Sequence, residues 1–559
     1  MIQNYLKRAG GHVIRALLLS SLVCSYALAA TQNVTNYGAV GDGNHDDTSA
    51  INNAIGALQS GDTLLFPCGA SGVYRVTSSL RAIQTQNVTI AGATGCAAGR
   101  VQVLGAFSGG NLFTIGGGAL SAGALLLQDQ QYLDKSFQTT ASTLGGLNAG
   151  DYVLLQQGGM DYSTDSSPGH NKPSSHPLPV PGDACDISGC RGEVVEIASV
   201  SGSSVSVTTA LHDTYSPSLY DAYAEKLLNV ISGITMHDLS LDGSGTVDNG
   251  LNLKNVVQSA FTNITASGFS GSGIFARDGF GNSFQEITST AVGSGSGPPL
   301  GSGFQLVEQG QATVNTYSLT SLNSNAFGMA VVTLADSSFS GVTIDKGGIG
   351  TGRSLKTIAT AATTWSSLTV KGAPAGYNGL DLEYYTSHNT FNNCAIEDNN
   401  TEGVDTFGNF NQYNTFNNCT MQGNSAVQFY QGASALGNHR DDYTTISGGT
   451  VIGQHDGTDG ALIINSPNST VTGVSFPQNT AGQAHVGIWT FGSNGCYSSN
   501  SFASGAYGSG MDIYVDPSAG GGNIGSGNTA PSGTTGLGNG TCGGGTLVAP
   551  PTGLVAVVQ

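Results

Sequence analysis

One six-residue word is written twice in this chain: Asn389-Thr-Phe-Asn-Asn-Cys394 and, 25 residues later, Asn414-Thr-Phe-Asn-Asn-Cys419. A fixed period in the twenties marks a solenoid. Carried outward, the alignment finds an aliphatic or Cys residue followed by Thr, Ser or Ala at Leu239, Ile264, Ile287, Leu319, Val342, Leu368, Cys394, Cys419 and Val474, with Gly449 a weaker member. Units of 23 to 32 residues are too short for a β-α-β crossover plus its partner strand, and none carries a helical apolar stripe. A Gly followed by alternating apolar residues recurs in Gly250-Leu-Asn-Leu, Gly303-Phe-Gln-Leu, Gly379-Leu-Asp-Leu, Gly403-Val-Asp-Thr and Gly487-Ile-Trp-Thr. Alternation with period two is a strand with one buried face. The expected fold class is all-β, a right-handed parallel β-helix whose coils supply one another's core.

Composition agrees with that architecture. Charged residues make up 9% of the 559, against about 25% in ordinary soluble domains, while the 84 Gly supply corners. Residues 1–29 read as a secretory signal peptide: Lys7, Arg8 and Arg15 precede an apolar run that ends in Ala27-Leu28-Ala29. That run is too short and too broken by Ser for a membrane anchor, so the expected location is secreted, extracellular or periplasmic. Removing the segment leaves 14 cations against 36 acids, a net charge near −22. A field of that sign repels nucleic acid and anionic membrane. In an oxidising compartment the remaining Cys suggest bridges Cys68–Cys96, Cys185–Cys190 and Cys496–Cys542. Cys394 and Cys419 occupy the inward slot of adjacent coils, as a bridge or as two small hydrophobes.

The first segment past the leader reads Asn33-Val-Thr-Asn-Tyr-Gly38-Ala-Val-Gly41-Asp-Gly43-Asn-His-Asp46-Asp47-Thr-Ser-Ala-Ile51-Asn-Asn-Ala54-Ile55. Its glycines permit a tight loop. Asp46 or Asp47 then caps a short helix whose Ile51, Ala54, Ile55 and Leu58 close the open end of the solenoid. This stretch resembles the amino terminus of the pectate-lyase-like β-helix superfamily, which includes polygalacturonase-type and rhamnogalacturonase-type glycoside hydrolases and phage tailspikes. The resemblance covers about sixty residues closely. It implies a β-helix and a carbohydrate-related activity. The Asn-Thr-Asp, Gly-Asp-Asp and Gly-His-Gly signatures of the polygalacturonase-type hydrolases are not intact here, so their catalytic set does not carry over.

The expected organisation is a cap and first coil over 30–93, then early coils with a strand-hairpin insertion and a long Pro/Ser/His loop over 94–230. Regular coils over 231–516 and a Gly-rich tail over 517–559 follow. Strands are expected at Gly150–Leu155 and Gly192–Val207, with a hairpin at Ser201 to Ser204. In the loop, His170, His176 and Asp183 match no metal-ligand spacing, and no metal site is expected.

The strand pattern selects the candidate site. In Gly379-Leu-Asp-Leu-Glu-Tyr-Tyr385 the two Leu point inward, so Asp381 and Glu383 point out; one coil on, Asp405 does the same. Gln428, Tyr430 and Trp489 are expected on that face. Carboxylates beside aromatic rings suit a glycan, acids for proton transfer and rings for stacking on sugar C–H faces. Asp381 and Asp405 are assigned as the acid/base pair, Glu383 as the tuning carboxylate, and Tyr384, Tyr430, Trp489 and Arg277 as substrate contacts. Glu402, Asp456 and Asp459 are the secondary candidates. The bland alternative is a solvated face that keeps the solenoid in solution. The function expected first is a glycoside hydrolase cleaving a polysaccharide, without a cofactor. A polysaccharide lyase would call for Ca²⁺ and a cationic base, for which Arg277, Arg353 and Lys371 are the nearby candidates. A glycan-binding or tailspike-like protein needs only the platform. The sequence does not set the oligomeric state.

Overall fold

The computed structural model describes residues 29–96, 99–157, 191–217, 222–292, 302–322, 327–345, 354–383, 385–407, 411–431, 441–453, 460–477, 485–507 and 511–542. The chain winds into a right-handed parallel β-helix. One wall is a fifteen-stranded sheet; a 26-stranded sheet, bent along a corner, forms the rest. The signal-peptide reading, Cys185, Cys190, His170, His176, Asp183 and Arg353 lie outside the described residues.

The repeated word decodes residue by residue. Asn389 and Asn414 are buried, and the Asn389 backbone N–H and side-chain amide both donate to Asn414 Oδ1 at 3.1 Å. Their own amide groups donate to Thr360 O and Thr386 O of the preceding coils. Phe391 and Phe416 point inward and stack at 4.7 Å, continuing a pile from Phe339 through Trp365. Asn393 and Asn418 take φ of 52° and 53°, the left-handed bend that turns the chain from one strand to the next and that Asn tolerates. Cys394 and Cys419 then point into the core and are joined by a disulfide.

The inward column runs as expected with one correction. Ile287 is opposite Tyr317, not Leu319, and Tyr317 is opposite Val342. The longest unit carries its extra residues elsewhere in the coil, so the slot shifts by two. A shift of two keeps the inward face, and Leu319 is buried as well. Gly449 stands over Cys419 with φ of 82°, and a Cβ there would meet the Cys419 carbonyl oxygen at 2.1 Å, which is why the column has Gly at that rung.

At the amino-terminal end the helix Thr48–Ala57 buries Ile51, Ala54 and Ile55 in the same core. Asp47 is the N-cap residue but makes no side-chain cap hydrogen bond, while Asp46 Oδ1, just before it, accepts from Thr48 N at 3.1 Å. Asp47 is fully buried and turns the other way, accepting from Val40 N and Gly41 N and thereby closing the glycine loop. Cys68 bonds to Cys96 and Cys496 to Cys542. The coils extend beyond 516: Ile524–Gly525 pairs in parallel with Cys496–Ser498, and Gly538–Asn539 with Ile524–Gly525.

The early region differs most from a plain solenoid. Strand Asn111–Gly116 pairs in parallel with Asn249–Lys254, so adjacent rungs are separated by over a hundred residues of sequence. The intervening chain forms a six-stranded antiparallel sheet, including Tyr152–Gln157, Arg191–Ser201, Ser204–Val207 and Ala222–Lys226. The expected hairpin is present. This inserted sheet has its own core around Phe137, Val153, Leu155, Val195 and Tyr215. Its other face lies on the outer side of the fifteen-stranded sheet. Gly310 lets it approach: a Cβ there would sit 2.1 Å from the Val194 carbonyl oxygen.

Candidate functional site

Strand pairing places seven side chains in one row along the outer face of the fifteen-stranded sheet. Lys356, Asp381, Asp405, Tyr430, Ile463, Trp489 and Tyr514 are successive partners on Leu355–Ala361, Leu380–Glu383, Val404–Phe407, Phe429–Gln431, Gly460–Ile464, Val486–Thr490 and Ile513–Val515. Their neighbours Leu380, Leu382, Val404, Phe429 and Ile488 are in the core, which sends the row outward. Four of the residues singled out from sequence, Asp381, Asp405, Tyr430 and Trp489, therefore share it.

The two acids meet at one amide. Asn378 Nδ2 donates to Asp381 Oδ1 and to Asp405 Oδ2, each at 2.9 Å, and the Asn378 carbonyl accepts from Thr401 Oγ1. Asp381 is fully buried, while Asp405 is half-buried, so Asp405 is the member of the pair that reaches solvent. Glu383 stands in the next outward row and is buried, 2.9 Å from Lys356 Nζ. The Lys356 ammonium also lies 5.4 Å from the centre of the Phe327 ring, a favourable cation–π placement. Farther along, Trp489 stacks on Phe491 at 5.0 Å, meets Tyr514 edge-on at 5.9 Å, and donates Nε1–H to Asp516 Oδ2.

Several expected residues lie elsewhere. Arg277 is on the same sheet but four strands away, reaching Glu383's row through Val307, Val332 and Ile358. It pairs with Glu308 at 3.0 Å beneath the inserted sheet, so it cannot share a sugar with Asp405. Lys371 points out from a different sheet, where it pairs with Asp345. Gln428 is buried in the corner before its strand, exchanging hydrogen bonds with Asn424. Glu402 is half-buried in the corresponding corner one coil earlier. Tyr384, Asp456 and Asp459 lie outside the described residues. Lys356 and Asn378 were missed. Lys356 begins no Gly-led strand, and Asn378 precedes the strand; the signal that finds Lys356 is its place one coil before Asp381 in the 25-residue register.

Beside this row the inserted sheet meets the coils at a polar seam. The Arg191 guanidinium lies 4.4 Å from the centre of the Tyr385 ring and 3.3 Å from Asp213. Burial pushes Asp213 up to about 6 against the pull of Arg191. His388 is sandwiched between Tyr132 of the inserted sheet and Tyr413 of the next coil. Burial, then the charges of Arg191 and His212, lower it to about 4. Among the described residues no group of three or more His, Cys, Asp or Glu is arranged to hold a metal, and no helix is long and apolar enough to cross a membrane.

Residues 31–118 match the family model described as rhamnogalacturonase A/epimerase, pectate lyase-like, the segment read above as cap and first coils. Over the whole chain the likeness is one of fold, a right-handed parallel β-helix. Among solved structures, a tailspike protein of Pseudomonas phage LKA1 superposes with a TM-score of 0.53 at 13% identity, over 91% of this chain and 83% of that one. A mannuronan C-5 epimerase module of Azotobacter vinelandii gives 0.38 at 13% identity, over 91% and 98%. The catalytic unit of an α-1,3-glucanase from Streptomyces thermodiastaticus gives 0.31 at 13% identity, over 91% and 70%. No curated protein matches the chain in sequence.

Proposed function

We propose that this chain acts on a polysaccharide along the outer face of the fifteen-stranded sheet, as a secreted glycoside hydrolase. The observation that carries the reading is the single row in which Asp381 and Asp405 bracket the Asn378 amide and Tyr430, Trp489 and Tyr514 follow. Partners in parallel strands are spaced by ~4.8 Å, near the ~5–5.5 Å between the carboxyls of retaining glycosidases. The buried Asp381 is suited to hold a proton beside a carboxylate, since two close acids resist ionising together. Asp405, at the surface, is suited to meet the anomeric carbon. The aromatic residues downstream offer flat apolar faces to successive sugar rings. The match of residues 31–118 to a rhamnogalacturonase and epimerase model supports a carbohydrate substrate, and three disulfides fit an oxidising compartment.

Lys356 supports a second reading. An ammonium paired with Glu383 one strand from Asp381 is what β-elimination from a uronate would use to steady the sugar acid, so a lyase is the alternative. Incubation with a panel of neutral and acidic polysaccharides tests both. New reducing ends without ultraviolet absorbance from an unsaturated uronate support the hydrolase, and reducing ends with that absorbance support the lyase. No new reducing ends from any member, with the protein folded, would leave binding alone.

A further inference from the structure

A second group of acids lies where the inserted sheet covers the coils, on a part of the sheet that the proposed reaction does not use. Asp278 and Glu308 occupy neighbouring strands of the fifteen-stranded sheet, Ile274–Phe280 and Ser302–Gly310. Glu225 comes from the inserted sheet, on Ala222–Lys226. All three are nearly inaccessible to solvent. Glu308 accepts from Gln156 Nε2 of the inserted sheet at 2.7 Å and from Arg277 Nε at 3.0 Å. Asp278 Oδ1 is buried without a hydrogen-bond partner, the position of a carboxyl that carries a proton toward Glu308. Around them stand Arg277 and Lys254 from the coils and Tyr223 from the inserted sheet, whose hydroxyl donates to Gln156 Oε1. Arg277 Nε is 3.0 Å from Glu308 but 3.9 Å from Asp278 Oδ1, and its single charge does not balance three buried acids, so burial and the Glu308 charge favour protons on Asp278 and Glu225.

We infer that the inserted sheet is held on the coils by these bound protons and loosens from them as the medium turns from acid to alkaline. Burial and the Glu308 charge hold Glu225 at about 7 and Asp278 well above the usual carboxylate range. An undocked Glu225 would release its proton near 4.5. Between those values the docked state binds more protons, so rising pH weakens docking, and this group's loss is complete above about 7. Asp278 extends the loss beyond that.

A second titratable bridge lies at the seam. His212 of the inserted sheet lies 3.3 Å from Glu193 and 3.7 Å from Asp336 of the coils. Burial lowers its affinity for a proton, but the Glu193 hydrogen bond and the charges of Glu193, Asp336 and Asp213 more than offset this. Glu193 and Asp213 belong to the inserted segment itself, so Asp336 is the charge that links His212 to docking, and His388, stacked on Tyr132 at the same seam and lowered to about 4, acts in the opposite sense to Glu225. The apolar contacts of Tyr152, Leu154, Val194, Val257 and Phe280 do not titrate and keep the base of the inserted sheet in place.

This inference does not depend on what the protein does to a glycan. It is tested by amide hydrogen exchange of the full chain at pH 5 and pH 8.5, corrected for intrinsic exchange. Protection of 191–201 and 222–226 should fall by at least ~10-fold at the higher pH, a pKa unit being worth a factor of ten. Protection of 264–267 and 287–290, on the opposite wall, should stay. Glu225→Gln and Asp278→Asn, neutral at both values, should each reduce the pH response. Unchanged protection of the inserted sheet in the wild type, or equal loss in the opposite wall, would overturn the inference.

Discussion

The two halves of the fifteen-stranded sheet have one backbone and opposite surfaces. Over 274–361 the outward positions include Val307, Val332 and Ile358, all buried under the inserted sheet together with Tyr385. Over 380–515 the outward row is Asp381, Asp405, Tyr430, Ile463, Trp489 and Tyr514, all but Asp381 and Ile463 half-exposed. Coil geometry is the same in both, so the outward residues report what each stretch must meet: protein in one half, water and a ligand in the other. Apart from Lys356, which joins the row, the covered half gathers its charge around Arg277, Asp278 and Glu308, with Glu225 facing them from the inserted sheet.

Four substitutions break or sharpen that contrast. The largest effect is expected from Asp405→Asn, which should lower turnover of the best substrate by about 10²–10⁴, the usual worth of a positioned acid or base. Asp278→Asn in the covered half should leave it within a few-fold. Comparable losses from both would erase the distinction. Next, Val332→Asp, which buries a charge between the sheets, should destabilise the fold by about 3 kcal/mol, read as a lower midpoint in urea. An unchanged midpoint would mean that the inserted sheet is not packed there. Smallest is Trp489→Ala, expected to raise KM by about tenfold with kcat little changed, as loss of a contact made equally to substrate and transition state. A fall in kcat alone would move Trp489 from binding to chemistry.

Most of the coil was legible because its signals are local and periodic. The spacing of Asn389 and Asn414, the left-handed bends at Asn393 and Asn418, and the alternation in Gly379–Glu383 recur every turn, so one rung predicts the next. That register also carried Asp381, Asp405, Tyr430 and Trp489 into one row before any coordinates. It missed Tyr317 where one long unit displaced the slot, and Lys356 where the strand begins Ser354-Leu355 without a leading Gly. The inserted sheet was legible only as strands. Its docking rests on contacts such as Gln156 with Glu308 and Tyr132 with His388, each joining residues more than 150 positions apart, and no repeat announces them. Arg277 was misplaced for that reason: in sequence it was a nearby cation, in space it belongs to the covered half.

The disulfide between Cys394 and Cys419 spans one full turn of the coil. Those are the turns that carry Asp381 and Asp405, on Leu380–Glu383 and Val404–Phe407, each one strand before the strand that leads into its Cys. A solenoid otherwise behaves as a stack of weakly independent layers, free to part a little at any level and to peel from an end. Here two layers are welded from the inside. Thermal breathing that would widen the gap between the acids is resisted by a covalent strut on the far side of the core. Peeling from the carboxy-terminal end has to stop at that rung until the bond is reduced, so the distance between the two carboxyls should be among the last dimensions of the molecule to drift.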